Sequence, residues 1–247
     1  MRITVRGYAP IELSAAPSSS KDVAFGEDTS YVARLLGELQ KPAYISGRLP
    51  CKILCLEYLK TLMTAGASYS EPMAGVGLTA RVLGGTGTHY LNDNSLDCLE
   101  ALRLNFPEAV VSYNDIRRVD FKCGDLTFLD FNNFTFRRRA RFENVLTHAF
   151  SHSTHYVILN DCTPFYFRYG STSFETYTRI LGSPIETVDD YFRAVVPIWA
   201  ATYPGWHMVA VGWFRDTSFQ LFARESHPLT VRKFTALDVP INMIQVS

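Results

Sequence analysis

From Ala67 to Glu225 the sequence alternates short apolar runs that read as strands with longer stretches of helical period. That alternation constrains the fold more than any other feature. ASYSEPM (67–73) is followed by a helical pattern from about Leu78. THYLND (88–93) precedes a helix that Ser95 can cap, with Leu96, Leu99, Ala101 and Leu102 as its apolar positions. AVVSYND (109–115) and DLTFLDF (125–131) are further strands, then a helix over 138–149 buries Phe142, Val145, Leu146 and Ala149. The unbroken VIL of THYVILND (154–161) is that of a strand covered on both faces. Thr187 can cap a helix to about Ala201. WHMVAVGWF (206–214) and SFQLFARE (218–225) close the series across a tight turn at Arg215-Asp216-Thr217. Such a pattern predicts an α/β chain: a doubly wound, mostly parallel, seven-stranded sheet whose last strand runs antiparallel.

The first 66 residues do not share that rhythm. Pro10, Pro17 and Ser18-Ser19-Ser20 read as an extended arm. Residues 30–41 and 50–64 read as helices, the second with Pro50 at its first turn and a stripe of Ile53, Leu56, Leu59 and Met63. The predicted organisation is an N-terminal arm and helical extension over 1–66 and one α/β domain over 67–247.

Composition excludes several functions. Lys plus Arg and Asp plus Glu are both 24, so net charge points to neither an acidic nor a basic partner. Five cysteines without a CxxC spacing fit a reduced, cytoplasmic setting and no zinc ribbon. MRITVRGYAP lacks the apolar core of a signal peptide. The uncharged stretch 194–214 is broken by Tyr203-Pro204-Gly205, and neither half is long enough to cross a bilayer.

In a doubly wound sheet, ligands bind beyond the carboxyl ends of the strands. The first strand ends in EPMAGVG, where Glu71 is followed by Gly75 and Gly77. Glycine is costly to order, so this pair marks a tight turn or a close approach, by ligand or by the chain itself. The next two strands end in Asn92-Asp93 and Asn114-Asp115, one strand–helix unit per step. Three acids thus converge along one edge.

This constellation resembles the class I S-adenosylmethionine-dependent methyltransferases over about residues 67–225. In that family the first strand ends in an acid with glycines at +2, +4 and +6. Glu71, Gly75 and Gly77 match, and Met73 replaces the first glycine. PMAGVGLT is similar to the Pro-Phe-x-Gly-x-Gly-Thr form common among nucleic-acid methyltransferases. The resemblance implies that Glu71, Met73, Gly75 and Gly77 lie along the cofactor, that Asp93 binds its ribose hydroxyls and that Asp115 binds its adenine amino group. It also implies S-adenosylmethionine as cofactor and DNA or RNA as partner. The alternative ligand is a dinucleotide, since Gly75-x-Gly77 with Ala80 matches part of a GxGxxG/A turn. A third reading gives the glycines to tight turns alone.

The family's reactive motif follows the fourth strand as Asp or Asn, two prolines and an aromatic. Here that strand ends Asp130-Phe131-Asn132-Asn133-Phe134, with the acid and aromatic but neither proline. The resemblance gives the catalytic places to Asp130, Asn132 and Asn133, and substrate contacts to Phe134, Arg137 and Arg138. Asn132-Asn133 also suits a plain turn, and the arginines a solvated helix end. His148, His152 and His155 cluster, and His148 and His152 have a spacing that zinc proteins use if the helix continues, but the helix is expected to end near Phe150 and no glutamate lies between them, so no metal site is predicted. Trp199, Trp206 and Trp213 read as core. Losing the chemistry while keeping the fold, as a binding or structural component, is the rival reading.

Overall fold

The structure, a computed structural model, describes residues 2–4, 7–13, 49–63, 68–131, 139–162, 172–214, 217–226 and 242–245. Its elements are β1 (Arg2–Ile3), β2 (Ile11–Glu12), α1 (Leu49–Leu62), β3 (Ser68–Glu71), α2 (Leu78–Leu83), β4 (Thr88–Asp93), α3 (Leu96–Asn105) and β5 (Val110–Tyr113). Then come β6 (Leu126–Asp130), α4 (Arg139–His152), β7 (Tyr156–Cys162), α5 (Thr172–Leu181), α6 (Val188–Thr202), β8 (Trp206–Phe214), β9 (Thr217–Arg224) and β10 (Asn242–Gln245).

The main sheet runs in the order β5-β4-β3-β6-β7-β9-β8-β10. β3 to β7 pair in parallel, and β9 enters antiparallel between β7 and β8. Seven of these strands are the expected set, with the antiparallel strand where the closing hairpin puts it. The eighth, β10, pairs antiparallel to β8 and lengthens that edge. The chain reverses direction along the sheet between β3 and β6, which places a crevice at their carboxyl ends.

Two apolar layers cover the sheet. On one face, α1, α2 and α3 pack with Tyr69, Leu91, Phe128 and Ile158. On the other, α4 and α6 pack with Leu129, Val157, Leu159 and Phe222. Val157, Ile158 and Leu159 are all 0% exposed, as a strand covered on both faces requires. Each such aliphatic side chain contributes about 1.5–3 kcal/mol by burial. α6 starts where expected, and Thr187 forms a capping box with Asp190: Asp190 N donates to Thr187 Oγ1, and Thr187 N to Asp190 Oδ2.

Several expectations change. Leu96, the first residue of α3, is 65% exposed, whereas Leu99, Ala101 and Leu102 are buried as expected. Ser95 precedes α3 but makes no side-chain cap; its backbone N–H is instead held by Asp93. α4 continues past Phe150 to His152, so His148 and His152 do share a face, their rings stacked 4.2 Å apart. No group of three or more His, Cys, Asp and Glu able to hold a metal occurs among the described residues.

The N-terminal arm is not loose where described. β1 pairs with β2, and Ile3, Ile11 and Leu13 join the same apolar layer as α1 and β3. Asn105, at the end of α3, clamps Glu12 through both its amide groups, 2.7 and 2.6 Å. Ile53, Leu56 and Leu59 of α1 are buried as their stripe predicts, and Gly212 of β8 lets the helix approach, with Cys55 Sγ 3.2 Å from where a Cβ would stand. The helix expected over 30–41 lies outside the described residues. No described helix is long and apolar enough to cross a membrane.

Candidate cofactor and acceptor site

The acids at the ends of β3, β4 and β5 lie side by side at the crevice, but in three different states. Glu71 is 1% exposed. Burial pushes its carboxyl up to about 8, with Lys52 and hydrogen bonds from Tyr69 and Thr79 pulling the other way. Tyr69 Oη donates to Glu71 Oε2 at 2.8 Å. A buried carboxyl held this way is protonated through most of the neutral range.

Asp93 is the hub of the turn after β3. Its Oδ2 accepts from Gly75 N at 2.8 Å, and its Oδ1 from Ser95 N at 2.9 Å. Burial raises its pKa, and the backbone N–H groups of Gly75, Ser95 and Asn94 oppose the rise. One carboxylate therefore ties the glycine turn to the start of α3. Asn92, 3% exposed, completes the stitching. Its Nδ2 donates to Pro72 O and Asn114 O, both at 2.9 Å, and its Oδ1 accepts from Ser112 Oγ at 3.0 Å. The amide of one residue thus joins the ends of β3, β4 and β5. In the sequence Asn92 reads only as a neighbour of Asp93. The legible signal is an amide directly before each strand-end acid on β4 and β5.

The two glycines separate. Both have left-handed backbone, Gly75 with φ 54° and Gly77 with φ 85°. At Gly77, however, a Cβ would stand 2.3 Å from Phe106 Cε2 and 3.1 Å from Leu102 Cδ2. What approaches Gly77 is the chain itself, through the end of α3. Gly75, which is buried, donates its N–H to Asp93, and that bond fixes the turn. Met73 is half-buried in the turn and packs toward the α4–α6 layer.

Asp115 behaves differently. It stands before a 3₁₀ turn, Ile116–Arg118, and caps it by accepting from Arg117 N at 2.9 Å. Arg117 Nε also reaches both carboxylate oxygens, at 3.0 and 2.9 Å. These hydrogen bonds from Arg117 hold its pKa below the usual carboxylate value.

Across the crevice, Asp130 ends β6 in register with Asn160 on β7. Asn160 Nδ2 donates to Asp130 Oδ1 at 2.6 Å, and Lys52 Nζ to Asp130 Oδ2 at 3.4 Å. Lys52 comes from α1, so a helix that precedes the strand–helix alternation brings a cation to Asp130. Neither Lys52 nor Asn160 was picked out from sequence. Lys52 interrupts an otherwise apolar helix stretch, and Asn160 follows the buried VIL run at the level of Asp130; each is a faint signal. Phe131 is 8% exposed and packs on Phe142, so it belongs to the core. Asn132, Asn133, Phe134, Arg137 and Arg138 lie outside the described residues.

The arrangement suits a ligand with a hydroxylated sugar. Asp93 already accepts from backbone N–H groups of its own turn and of Gly75, and a carboxylate is also the acceptor that sugar hydroxyls favour. The left-handed turn at Gly75 carries no side chain beside that carboxylate.

The sequence matches no protein-family model and no curated protein. Solved structures do resemble the fold. Magnesium protoporphyrin IX methyltransferase from Synechocystis PCC 6803 with bound SAH (S-adenosylhomocysteine) aligns at a TM-score of 0.51 and 13% identity, over 78% of this chain and 92% of that one. The plantazolicin methyltransferase in complex with SAH aligns at 0.48 and 10% identity, over 78% and 89%. The methyltransferase domain of bacterial CtHen1-C aligns at 0.47 and 15%, over 72% and 96%. The first alignment, with the strand order above, shows that this chain has the Rossmann-like fold of class I methyltransferases.

Proposed function

We propose that the chain binds S-adenosylmethionine across the ends of β3, β4 and β5 and transfers its methyl group to a nucleic acid. The observation that carries this reading is the Asp93–Gly75 contact. It fixes the left-handed glycine turn after β3 against the carboxylate that ends β4. A protein of the same fold with bound SAH supports the choice of ligand. In this reading 67–247 is the methyltransferase domain, and 1–66 is its N-terminal extension, which contributes Lys52.

The bound cofactor would supply an electrophilic methyl on a sulfonium, which a nucleophilic acceptor nitrogen takes while losing a proton. The protein's part is mostly positioning. Asp93 would hold the ribose hydroxyls, and the backbone at Gly75 would pass along the amino-acid end. Glu71, largely uncharged at neutral pH, would meet that end as a neutral hydrogen-bonding group. Asp130 would face the acceptor, its charge balanced by Lys52. The acceptor as nucleic acid rests on the PMAGVGLT and Asp130-Phe131-Asn132-Asn133-Phe134 resemblances, with Phe134, Arg137 and Arg138 as its proposed contacts.

One rival has specific support: a protein that keeps the fold and the binding but not the transfer. Asp130 is engaged by both Lys52 and Asn160, and Asp115 by Arg117. Calorimetric titration with SAH and, separately, NAD decides the ligand. Micromolar-scale SAH binding without NAD binding is expected; no heat and no thermal shift with millimolar SAH would remove the cofactor. Labelled methyl transfer to mixed RNA and DNA then separates enzyme from binder.

A further inference from the structure

The ends of β6 and β7 carry one atom that neither the fold nor the cofactor reading employs. Asn160 is 5% exposed. Its amide nitrogen donates to Asp130 Oδ1, whose partner oxygen takes the Lys52 ammonium. That bond fixes the amide's orientation: nitrogen toward Asp130, oxygen away from it. The oxygen is buried and accepts no hydrogen bond from any described residue. Folded chains rarely leave such an acceptor without a donor, and those they leave call for an explanation. Three features of this one fit a ligand. It stands near the carboxyl ends of parallel strands, it lies beside Asp130, the acid that ends β6, and its neighbours hold it in a single orientation.

Resting on the methyltransferase reading above, we propose that Asn160 Oδ1 receives an N–H from the methyl acceptor, and that the donor is an exocyclic amino group of a nucleic-acid base. A phosphate or carboxylate cannot fill the place, since it would bring acceptor to acceptor. A hydroxyl fits poorly. It has a single hydrogen, which must leave when its oxygen is methylated, and a neutral amide oxygen holds that hydrogen without being basic enough to take it. An amino group has two hydrogens, so one stays on Asn160 while the other departs. Position favours the acceptor over the cofactor. Adjacent strands lie about 4.8 Å apart, so Asn160 on β7 stands roughly 10 Å along the sheet from β3 and roughly 14 Å from β4, the strand of Asp93.

The test compares base pairs that differ in the amino group. Short labelled oligonucleotides of adenylate and inosinate, and of cytidylate and uridylate, are titrated by fluorescence anisotropy against protein saturated with SAH. Wild type should prefer the amino-bearing member of at least one pair by about tenfold, the usual scale for one buried partner left unpaired. Asn160→Leu should lose that preference while SAH affinity stays within about twofold. Equal binding within both wild-type pairs overturns the proposal without needing any variant to fold. A preference that survives in Asn160→Leu overturns it too. So does weaker binding of SAH, but not of 5′-methylthioadenosine, by that variant, because the donor would then be the cofactor's own amino-acid end. Wild type that binds no SAH brings down the methyltransferase reading and this proposal together. Wild type that binds SAH but shows no amino preference removes this proposal alone.

Discussion

Asp93 and Asp115 present the same sequence signal: an acid after an asparagine, at the end of a strand, one unit apart. Each accepts a backbone N–H two residues ahead, but they differ in where the second oxygen goes. Asp93 gives one oxygen to Ser95 N, two residues on, and the other to Gly75 N on a separate segment, the turn after β3. Asp115 is more exposed and spends its oxygens on its own turn and on Arg117, two residues away. A carboxylate that organises distant backbone is part of the architecture of a site. One that caps its own turn needs no site to explain it. Strand-end position alone does not tell the two apart; the identity of the donors does.

The sharpest break falls on the turn that Asp93 holds. Gly77→Val would force a β-branched residue to φ 85° and drive its Cβ into Phe106. Overpacking and the left-handed strain together cost about 2–5 kcal/mol, so the melting temperature should fall steeply. Gly75→Val tests the other glycine. If its left-handed turn serves a ligand, SAH binding is lost while the chain still melts cooperatively. Retained SAH binding in Gly75→Val would reduce that glycine to a turn residue.

Asp93→Ala comes next. It leaves Gly75 N and Ser95 N without their acceptor, at about 1–3 kcal/mol for each group that stays buried. Stability and SAH affinity should both drop, and Asp93→Asn should recover part of the stability, because an amide oxygen still accepts one N–H. A stable Asp93→Ala protein with unchanged SAH titration would dissolve the distinction between the two acids.

Glu71, the third acid of the set, gives a pH test. Its folded pKa is raised to about 8 from an ordinary 4.5, chiefly by burial. The protonated form is the one that fits the fold. Its contribution is therefore full below about 4.5 and is lost as the pH rises through about 8. Denaturant melts across that window should show wild type losing stability with rising pH. Glu71→Gln, uncharged throughout, should flatten the slope. Parallel slopes for the two proteins would mean that Glu71 is ionised in the fold.

What the sequence disclosed follows from which interactions are local. Strand limits at Thr88–Asp93 and Trp206–Phe214 agree with the sequence reading, since alternation and turn residues are encoded within a few positions. The Thr187 cap agrees for the same reason. Lys52 and Asn160 did not stand out, because their significance lies in Asp130, 78 and 30 residues away. Gly77 was legible as a special position but not as to its partner; Phe106 reaches it only once α3 is packed. The short Asn242–Gln245 strand carries no alternation of its own and is specified by the open edge of β8.

The smallest expected effect is at Asp115. As a cap, its loss should cost about 0.5–2 kcal/mol, a modest melting shift. As an adenine ligand it would cost more in binding than in stability. Asp115→Ala would then weaken SAH about five- to a hundredfold, the range for removing one partner of a buried hydrogen bond. The inosine analogue of SAH, which lacks the amino donor, would bind wild type poorly and would lose little more in Asp115→Ala. This double comparison isolates the pair as a mutant cycle does. The Arg117 contact adds a second lever. If Arg117 competes with adenine for the carboxylate, Arg117→Ala should tighten SAH and leave the inosine analogue unchanged. If Asp115 is a cap and nothing more, Asp115→Ala should lower the melting temperature and weaken both cofactors equally. Equal weakening would leave Asp93 as the one strand-end acid of the pair that belongs to the site.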